Sequence, residues 1–323
     1  MLRWGVMGPG AIAADFAQAM ERVDGSGIVA VGSRSAQRAD EFADRFSVPR
    51  RYDSYAALAE DSEVDVVYVA TPQSCHADDT LSLLSAGKHV LCEKPFALNA
   101  ILARRMVDEA RSRQLFLMEA VWSRFLPAYR ALVDVVGTGR IGDPLLVEAD
   151  FGFRSRYDPD HRLFNLELGG GALLDLGIYP IQLCALLLGH PERVVAQGVL
   201  GASGVDEQVA AVLRFPGDTL GVVKAAIRVG MACTARVAGT RGAIDIPAFM
   251  HCPDAFTVTT RDGVERIEAP VGGEGIRFEI EEVQRCLAAG QTESAVMPLA
   301  ETLMLATTLD EIRRQIGLVY PGE

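Results

Sequence analysis

Short apolar runs and amphipathic helical patterns alternate through the first third of the chain. The runs cover residues 2–7, 28–32, 64–70, 89–92 and 115–118. The run at 64–70 is nearly continuous and rich in valine, which is typical of a parallel strand covered on both faces. Strands that alternate with helices build a parallel sheet with helices on both sides. The pattern predicts a doubly wound α/β domain over residues 1–121.

Residues 122–323 show a different pattern, in which apolar and polar residues alternate over short stretches. The alternating runs cover residues 145–153, 194–199, 208–215, 220–229, 233–238, 243–246 and 255–260. Turns such as Phe215-Pro-Gly-Asp218 separate several of them, which favours hairpins. Helical patterns at 275–289 and 298–316 close the chain. We predict an α+β domain with a large, mostly antiparallel open sheet. An alternative for the last helix is that it packs back on the first domain.

Length and composition are those of a globular protein with two domains. The chain has 323 residues, of which 49% are hydrophobic and 23% are charged, so each domain can bury its own core. With a formal net charge of -12, the chain has no basic face that could bind the phosphate backbone of a nucleic acid. A nucleic-acid partner is therefore not expected. An uncovered apolar sheet face must be buried somewhere. A homodimer through the C-terminal sheet is therefore expected.

Cysteine usage and the start of the chain indicate a cytoplasmic protein. The six cysteines form no Cys-x-x-Cys pair and no Cys/His cluster, so reduced thiols and no metal site are expected. The N-terminus enters a strand-like run without the features of an export signal. The apolar segment 169–189 contains Asp175, Pro180 and Gln182. We interpret it as a buried core helix and expect no membrane partner.

The turn after the first predicted strand has the glycine spacing of a dinucleotide site. Gly8-Pro-Gly10-Ala11-Ile12-Ala13 leads from the strand into a helical pattern. In such a turn, backbone N–H groups and the positive helix end hold a pyrophosphate, and a small third residue permits close packing. A plain tight turn has the same spacing. The context of strand and helix favours a Rossmann nucleotide site formed by Gly8, Gly10, Ala11 and Ile12.

The end of the second predicted strand indicates which nucleotide is bound. A site for NAD places an acidic residue there, where it accepts hydrogen bonds from the ribose hydroxyls. This chain instead has Ser33 and Arg34, with Arg38 one helical turn further on. A hydroxyl and two guanidinium groups fit a 2′-phosphate, so NADP is the predicted cofactor, with NAD as the alternative. The other interpretation is the solvated basic start of a helix.

Two further strand ends carry polar residues. The proline after Glu93-Lys94 disfavours helical geometry at the lysine, so its ammonium is expected at a strand exit, where ligands bind in open α/β sheets. The alternatives are an exposed Glu-Lys pair and a histidine with a local partner. The residues predicted at these exits to contact the cofactor are Thr71, Pro72, His76, Glu93 and Lys94.

An acid and a tyrosine lie one helical turn apart after three glycines. Asp175 and Tyr179 are spaced i, i+4, so both side chains project from one helix face. The alternative is a buried pair in which each satisfies the other. Pro180 is expected to kink or restart the helix and to move residue 179 out of helical geometry. Phe151 and Phe153, two apart on a predicted strand, either flank a ligand ring or belong to the core.

Together these motifs resemble the Gfo/Idh/MocA family, named after glucose-fructose oxidoreductase and inositol dehydrogenase. Three further stretches resemble the branch of dimeric dihydrodiol dehydrogenases and NADP-dependent D-xylose dehydrogenases, whose members associate through the C-terminal sheet. Those stretches are Met118-Glu-Ala-Val-Trp-Ser-Arg-Phe-Leu-Pro127, Arg162-Leu-Phe and Asp310-Glu-Ile-Arg-Arg-Gln-Ile-Gly317. The resemblance covers nearly the whole chain.

The resemblance implies hydride transfer between nicotinamide and a carbinol or hemiacetal carbon. It implies that Tyr179 is the acid–base group, that Lys94 lowers the tyrosine pKa, and that Asp175 orients a substrate hydroxyl or the lysine. The expected substrate is an aldose such as D-xylose or a trans-dihydrodiol, since both present vicinal hydroxyls on a six-membered ring.

The substrate contacts that we infer from the resemblance come from three parts of the chain. They are Trp122, Arg124, Phe151, Phe153 and Arg162. Position 123, between the tryptophan and the arginine, is Ser123, so the arginine of this stretch is Arg124.

Two other functions remain open from the sequence. An aldose–aldose transhydrogenase would keep its nucleotide bound, and a nucleotide-sensing regulator would keep the fold without turnover. The intact set of Lys94, Asp175 and Tyr179 favours an enzyme, because a sensor has no chemical need for these residues.

Overall fold

The computed structural model describes all 323 residues and divides into two compact units. The first unit comprises residues 1–125 and 273–303, and the second comprises residues 126–272 and 304–323. The predicted boundary between residues 121 and 122 lies close to the first junction. The segment 273–303, which the sequence pattern places in the second domain, groups with the first unit.

The first unit contains a six-stranded sheet. Its strands are β1 Leu2–Met7, β2 Ser26–Gly32, β3 Arg50–Tyr52, β4 Val66–Val69, β5 His89–Glu93 and β6 Leu117–Ala120. They lie in the order β3-β2-β1-β4-β5-β6, and every neighbouring pair is parallel. The order reverses between β1 and β4, which is the switch point of a doubly wound sheet. The predicted Rossmann domain is confirmed.

The second unit contains an eight-stranded sheet. Its strands are β7 Pro144–Gly152, β8 Arg193–Leu200, β9 Asp206–Phe215, β10 Thr219–Ala226, β11 Ala235–Gly239, β12 Gly242–Ile246, β13 Ala255–Thr260 and β14 Gly263–Glu268. The order is β14-β13-β12-β11-β7-β10-β9-β8, and only the β7–β10 pair is parallel. The predicted large, mostly antiparallel sheet is confirmed.

Nine α-helices complete the two units. They are α1 Ala11–Met20, α2 Ala36–Phe46, α3 Tyr55–Glu60, α4 His76–Ser85, α5 Ala100–Arg113, α6 Pro127–Gly137, α7 Ile178–Leu188, α8 Arg277–Ala288 and α9 Leu299–Ile316. Ser35, Ser54 and Asn99 cap the N-termini of α2, α3 and α5, because each side-chain oxygen accepts a backbone N–H of the first turn. The first residues of α9 group with the first unit and the remainder with the second.

Aromatic rings fix α1 against the centre of the parallel sheet. The Phe16 ring stacks on Tyr68 with ring centroids 3.9 Å apart, and it meets the Trp4 ring edge-on at 5.3 Å. All three side chains are fully buried. This packing orients the start of α1 at the carboxyl ends of β1 and β4.

The apolar segment that we interpret as a core helix is buried in the second unit. Leu166–Leu188 is long and apolar enough to cross a membrane, and 83% of its most apolar window lies inside the structure. The expectation that Pro180 moves residue 179 out of helical geometry is wrong, since Tyr179 lies within α7. A π-helical turn, Leu173–Gly177, precedes α7. Its wider backbone accommodates the proline ring one turn later.

Candidate functional site

The glycine turn of the first unit lies between β1 and α1. Gly8 has a φ of +87°, and a Cβ there would come within 3.0 Å of the Ala70 carbonyl oxygen and 2.9 Å of the Thr71 side chain. Glycine is therefore required where β1 and β4 end side by side. At Gly10 a Cβ would meet nothing within 4 Å, and α1 begins without a side-chain cap. The open N-terminus at Ala11 and Ile12 fits a pyrophosphate.

The end of β2 carries the residues predicted to select the nucleotide. Ser33 is buried, and its Oγ accepts the Ser35 N–H at 3.1 Å. Arg34 and Arg38 are exposed, and neither forms an ion pair with a carboxylate. Burial raises the pKa of Asp79 and of Tyr55, and the nearby Arg34 charge opposes both shifts. Two cationic side chains at this strand end fit a 2′-phosphate.

His76 is buried in the first unit, where its ring connects the segments that follow β4 and β5. Its ring is 1% exposed, with Nδ1 at 2.8 Å from the Pro95 carbonyl oxygen and Nε2 at 2.9 Å from the Thr71 carbonyl oxygen. Burial lowers the pKa of His76, so at neutral pH the ring donates to one carbonyl at a time. The Thr71 hydroxyl donates to Asp79 at 2.6 Å. The Thr71-Pro72 turn is thereby held beside the residue after Lys94.

Glu93 fixes the backbone from which Lys94 projects. One Glu93 oxygen accepts the Tyr68 hydroxyl at 2.5 Å and the other accepts the Lys94 N–H at 3.1 Å. The Lys94 side chain is half-buried, and the peptide bond that follows it is cis. Next to it, Glu119 accepts the Phe96 N–H at 3.0 Å, and burial raises the pKa of Glu119 to about 7. The β5 exit is thus anchored by two buried carboxyl groups.

The residues that follow β6 differ in exposure. Trp122 is half-buried at the start of a 3₁₀ turn, Trp122–Phe125. Ser123, in the same turn, is fully buried. Arg124 is 3% exposed and forms an ion pair with Glu301 inside the first unit. The Arg124 guanidinium is therefore already engaged by a carboxylate, and the pair connects α9 to the segment after β6.

Asp175 and Tyr179 lie together within the second unit. Asp175 is in the π-helical turn and Tyr179 in the first turn of α7, and both are almost fully buried. The Asp175 carboxylate accepts a hydrogen bond from the Arg162 guanidinium at 2.9 Å. Arg162 is mostly exposed. The structure therefore pairs Arg162 with Asp175, two of the residues predicted for the substrate site.

An aromatic cluster surrounds Tyr179, and one of its members was missed by the sequence analysis. The Tyr179 ring meets Phe151 edge-on at 5.4 Å and lies 5.1 Å from the His251 ring, which stacks on Phe151 at 4.4 Å. Phe153 is exposed beyond the end of β7 and makes no ring contact. The only sequence signal for His251 is its type, as one of five histidines in the chain.

Each of the two units, taken by itself, has features of an oxidoreductase. The first has an open glycine turn and cationic residues suited to a dinucleotide, and the second has a buried acid and a tyrosine suited to proton transfer. These features define the class of dinucleotide-dependent oxidoreductases.

Comparison with known proteins agrees with this class. The model described as "Oxidoreductase family, NAD-binding Rossmann fold" matches residues 2–121, and that of the GFO/IDH/MocA C-terminal domain matches residues 129–245. The chain is 40% identical to trans-1,2-dihydrobenzene-1,2-diol dehydrogenase of Mus musculus, over 100% of this chain and 99% of the mouse protein. It is 39% identical to the enzyme of that name from Homo sapiens, with the same coverage.

Solved structures show the same fold. The 3-ketoreductase KijD10 of Actinomadura kijaniata, in complex with NADP and TDP-benzene, superposes with a TM-score of 0.89 at 27% identity and covers 98% of both chains. An aldose–aldose oxidoreductase of Caulobacter crescentus reaches 0.90 at 24% identity and covers 97% of both chains, which shows the fold alone. This chain belongs to the GFO/IDH/MocA family of oxidoreductases.

Proposed function

We propose that this protein is an NADP-dependent dehydrogenase that oxidises a CH–OH carbon of a vicinal diol on a six-membered ring. The full-length identity of 40% to trans-dihydrodiol dehydrogenases carries the proposal. The substrate class comprises trans-dihydrodiols and ring-form aldoses such as D-xylose. NADP is supported by the cationic end of β2 and by the NADP in the complex of KijD10.

Each proposed role follows from the chemistry of the reaction. When bound, NADP supplies the nicotinamide carbon that accepts the hydride. The alcohol must lose its proton as the hydride leaves, and Tyr179 is the proposed acceptor. Arg162 donates a hydrogen bond to Asp175, and the proposed role of Asp175 is to accept a hydrogen bond from a second substrate hydroxyl. Phe151 and His251 present flat faces suited to a ring.

A spectrophotometric assay tests the proposal. Reduced-nicotinamide absorbance would be followed with NADP or NAD and a panel of trans-dihydrodiols and aldoses. We expect turnover with NADP and at least one vicinal diol. Tight NADPH binding without turnover on any substrate would contradict a dehydrogenase and favour a sensor. Nucleotide released only on denaturation, together with exchange of hydride between two aldoses, would favour a transhydrogenase.

The choice of NADP over NAD is expected to depend on the two arginines after β2. Replacing both Arg34 and Arg38 by alanine should raise the KM for NADP by about 100-fold or more and change that for NAD little, since each charge-assisted hydrogen bond contributes about 1.5–3 kcal/mol. Steady-state kinetics with both nucleotides measures this. Arg45→Ala, at the other end of α2, is the matched control. An equal loss with NAD and NADP would contradict the role.

We also propose that the protein is a homodimer formed through the uncovered face of the second sheet. Val195, Val212 and Val222 lie in register across β8, β9 and β10, and the first two are 53% and 42% exposed. The same row continues into Glu148 of β7 and Arg236 of β11. A two-fold axis would bring this surface against its own copy and bury the valines.

Val212→Asp is expected to convert the dimer to a monomer. A buried carboxylate on each subunit would oppose the interface, because charge without a partner is costly to desolvate. Light scattering after size exclusion should change from about twice 34.7 kDa to 34.7 kDa. Val264→Asp, on the edge strand β14, is the control. A wild-type mass of 34.7 kDa would contradict the dimer.

A cytoplasmic location is proposed as well. The six cysteines are all free thiols, and such usage is typical of a reducing compartment. A disulfide in freshly isolated protein would contradict this location.

A further inference from the structure

The loop before the π-helical turn, Gly169–Gly171, is held by residues that are remote in the sequence. Gly170 and Gly171 are buried, and the loop leads directly into the turn that carries Asp175. Asp206, at the start of β9, accepts the Leu173 N–H directly after the loop, and Tyr320 donates to the Gly170 carbonyl oxygen. Arg313 and Glu323 in turn contact Tyr320. All of them belong to the second unit. We call these four residues the loop clamp.

Asp206 holds the first backbone N–H groups of the π-helical turn. Its Oδ2 accepts the Leu173 N–H at 2.7 Å, and the side chain is fully buried. Gly171 has a φ of +131°, and a Cβ there would lie 2.1 Å from Asp206 Oδ1. The carboxyl group therefore occupies the space that a side chain at residue 171 would need. Burial raises the pKa of Asp206 to about 7, while the Leu173 N–H and the Arg313 charge oppose this shift.

Tyr320 holds the same loop from the C-terminal end of the chain. Its hydroxyl donates to the Gly170 carbonyl oxygen at 2.8 Å across 150 positions of sequence. The Arg313 guanidinium lies 4.7 Å from the centroid of the Tyr320 ring and forms an ion pair with Glu323. Glu323 in turn accepts the Tyr320 N–H at 2.9 Å. Residues 313–323 thus fold back on themselves, and we call this segment the C-terminal hook. Its Tyr320 contacts Gly170 of the loop.

The clamp acts at the point that determines where Asp175 and Tyr179 lie. The Leu173 N–H held by Asp206 is two residues before Asp175 and six before Tyr179. A helix is stiff, so a shift or fraying at its start moves both side chains together. Misplacement of a reacting group by about 1 Å can cost about 100-fold in rate.

We propose that Asp206, Arg313 and Tyr320 are positioning residues for the Asp175 and Tyr179 pair, and that the C-terminal hook is part of the active-site scaffold. The inference rests on the proposed dehydrogenase function for its kinetic test. Its structural test does not need activity.

Two variants test the clamp. Asp206→Ala removes the acceptor of the Leu173 N–H, and Tyr320→Phe removes the hydroxyl that donates to the Gly170 carbonyl oxygen. Arg314→Ala is the matched control, since Arg314 lies on the same helix as Arg313 and is mostly exposed. Backbone amide exchange of residues 170–179, kcat, KM and the NADPH dissociation constant would be measured for each. Should Asp206→Ala fail to fold, Tyr320→Phe carries the same test.

We expect kcat to fall about 10- to 100-fold in Asp206→Ala and several-fold in Tyr320→Phe, with NADPH affinity within about twofold of wild type. Amide exchange in 170–179 should rise at least about tenfold, whereas residues 2–20 of the first unit should be unchanged. Unaltered exchange in 170–179, or the same changes in Arg314→Ala, would overturn the inference. If the wild type shows no turnover, the exchange experiment still decides the clamp, and only the proposed function fails.

Discussion

Replacing Tyr179 by phenylalanine is expected to lower kcat by about 10²–10⁴-fold while NADPH binding stays unchanged, because acid–base groups contribute rate factors of this size. The substitution removes only the hydroxyl. The ring contacts with Phe151 and His251 and the burial in α7 remain. A loss of rate would therefore report the missing proton acceptor and not a collapse of the aromatic cluster.

Stopped-flow and steady-state assays would separate the chemical step from binding for this variant. Tyr157→Phe is the matched control, since it is the same substitution in the same unit at a tyrosine that is 48% exposed. The KM for substrate should change much less than kcat. A Tyr179→Phe enzyme with more than about a tenth of the wild-type kcat would rule out the proposed role of the hydroxyl.

Lys94→Ala is expected to lower kcat by about two orders of magnitude or more and to change its dependence on pH. The backbone should stay in place, because Glu93 holds the Lys94 N–H and is itself held by Tyr68. In the prediction from the sequence, the ammonium lowers the Tyr179 pKa. Without it the phenolate forms only at higher pH, so the rising limb of kcat against pH should move to the alkaline side.

Profiles of kcat from about pH 6 to 10 would test this prediction. Lys94→Arg keeps the charge, so its limb should stay near that of wild type even if the rate is lower. Arg104→Ala, which removes an exposed cation on α5, is the control. A Lys94→Ala profile with an unshifted limb would show that Lys94 does not act on the pKa of the proton acceptor.

Site residues could be predicted from the sequence where a chemically distinctive residue type lies in a clear local pattern. Gly8 and Gly10 follow an apolar strand directly, so their position at the start of α1 could be predicted. The lysine content of the chain adds a further signal for Lys94. The chain contains only three lysines, at 88, 94 and 224, among 31 basic residues. A chain that otherwise uses arginine retains a lysine at a strand exit, which fits a role that requires an ammonium.

The sequence was uninformative where strands are polar or contacts are remote. The β3 strand has only three residues, two of them arginine, and β14 contains Glu265, Arg266 and Glu268, so neither has an apolar pattern. Strand β6 begins two residues later than predicted and includes a buried Glu119. The contact of Tyr320 with Gly170 joins residues far apart in the chain, which periodicity cannot detect. His251 lies outside any regular pattern for the same reason.

The division of the first unit into two chain segments has a consequence for biosynthesis. Ser26 donates its hydroxyl to Gln284 of α8 at 2.7 Å, across 258 positions of sequence. At about 5–20 residues per second, α8 leaves the ribosome roughly 13–50 s after β2. During that interval the nascent parallel sheet lacks its α8 partner, and the second sheet is synthesised in between. The two units therefore reach completion nearly together, as the last helices emerge.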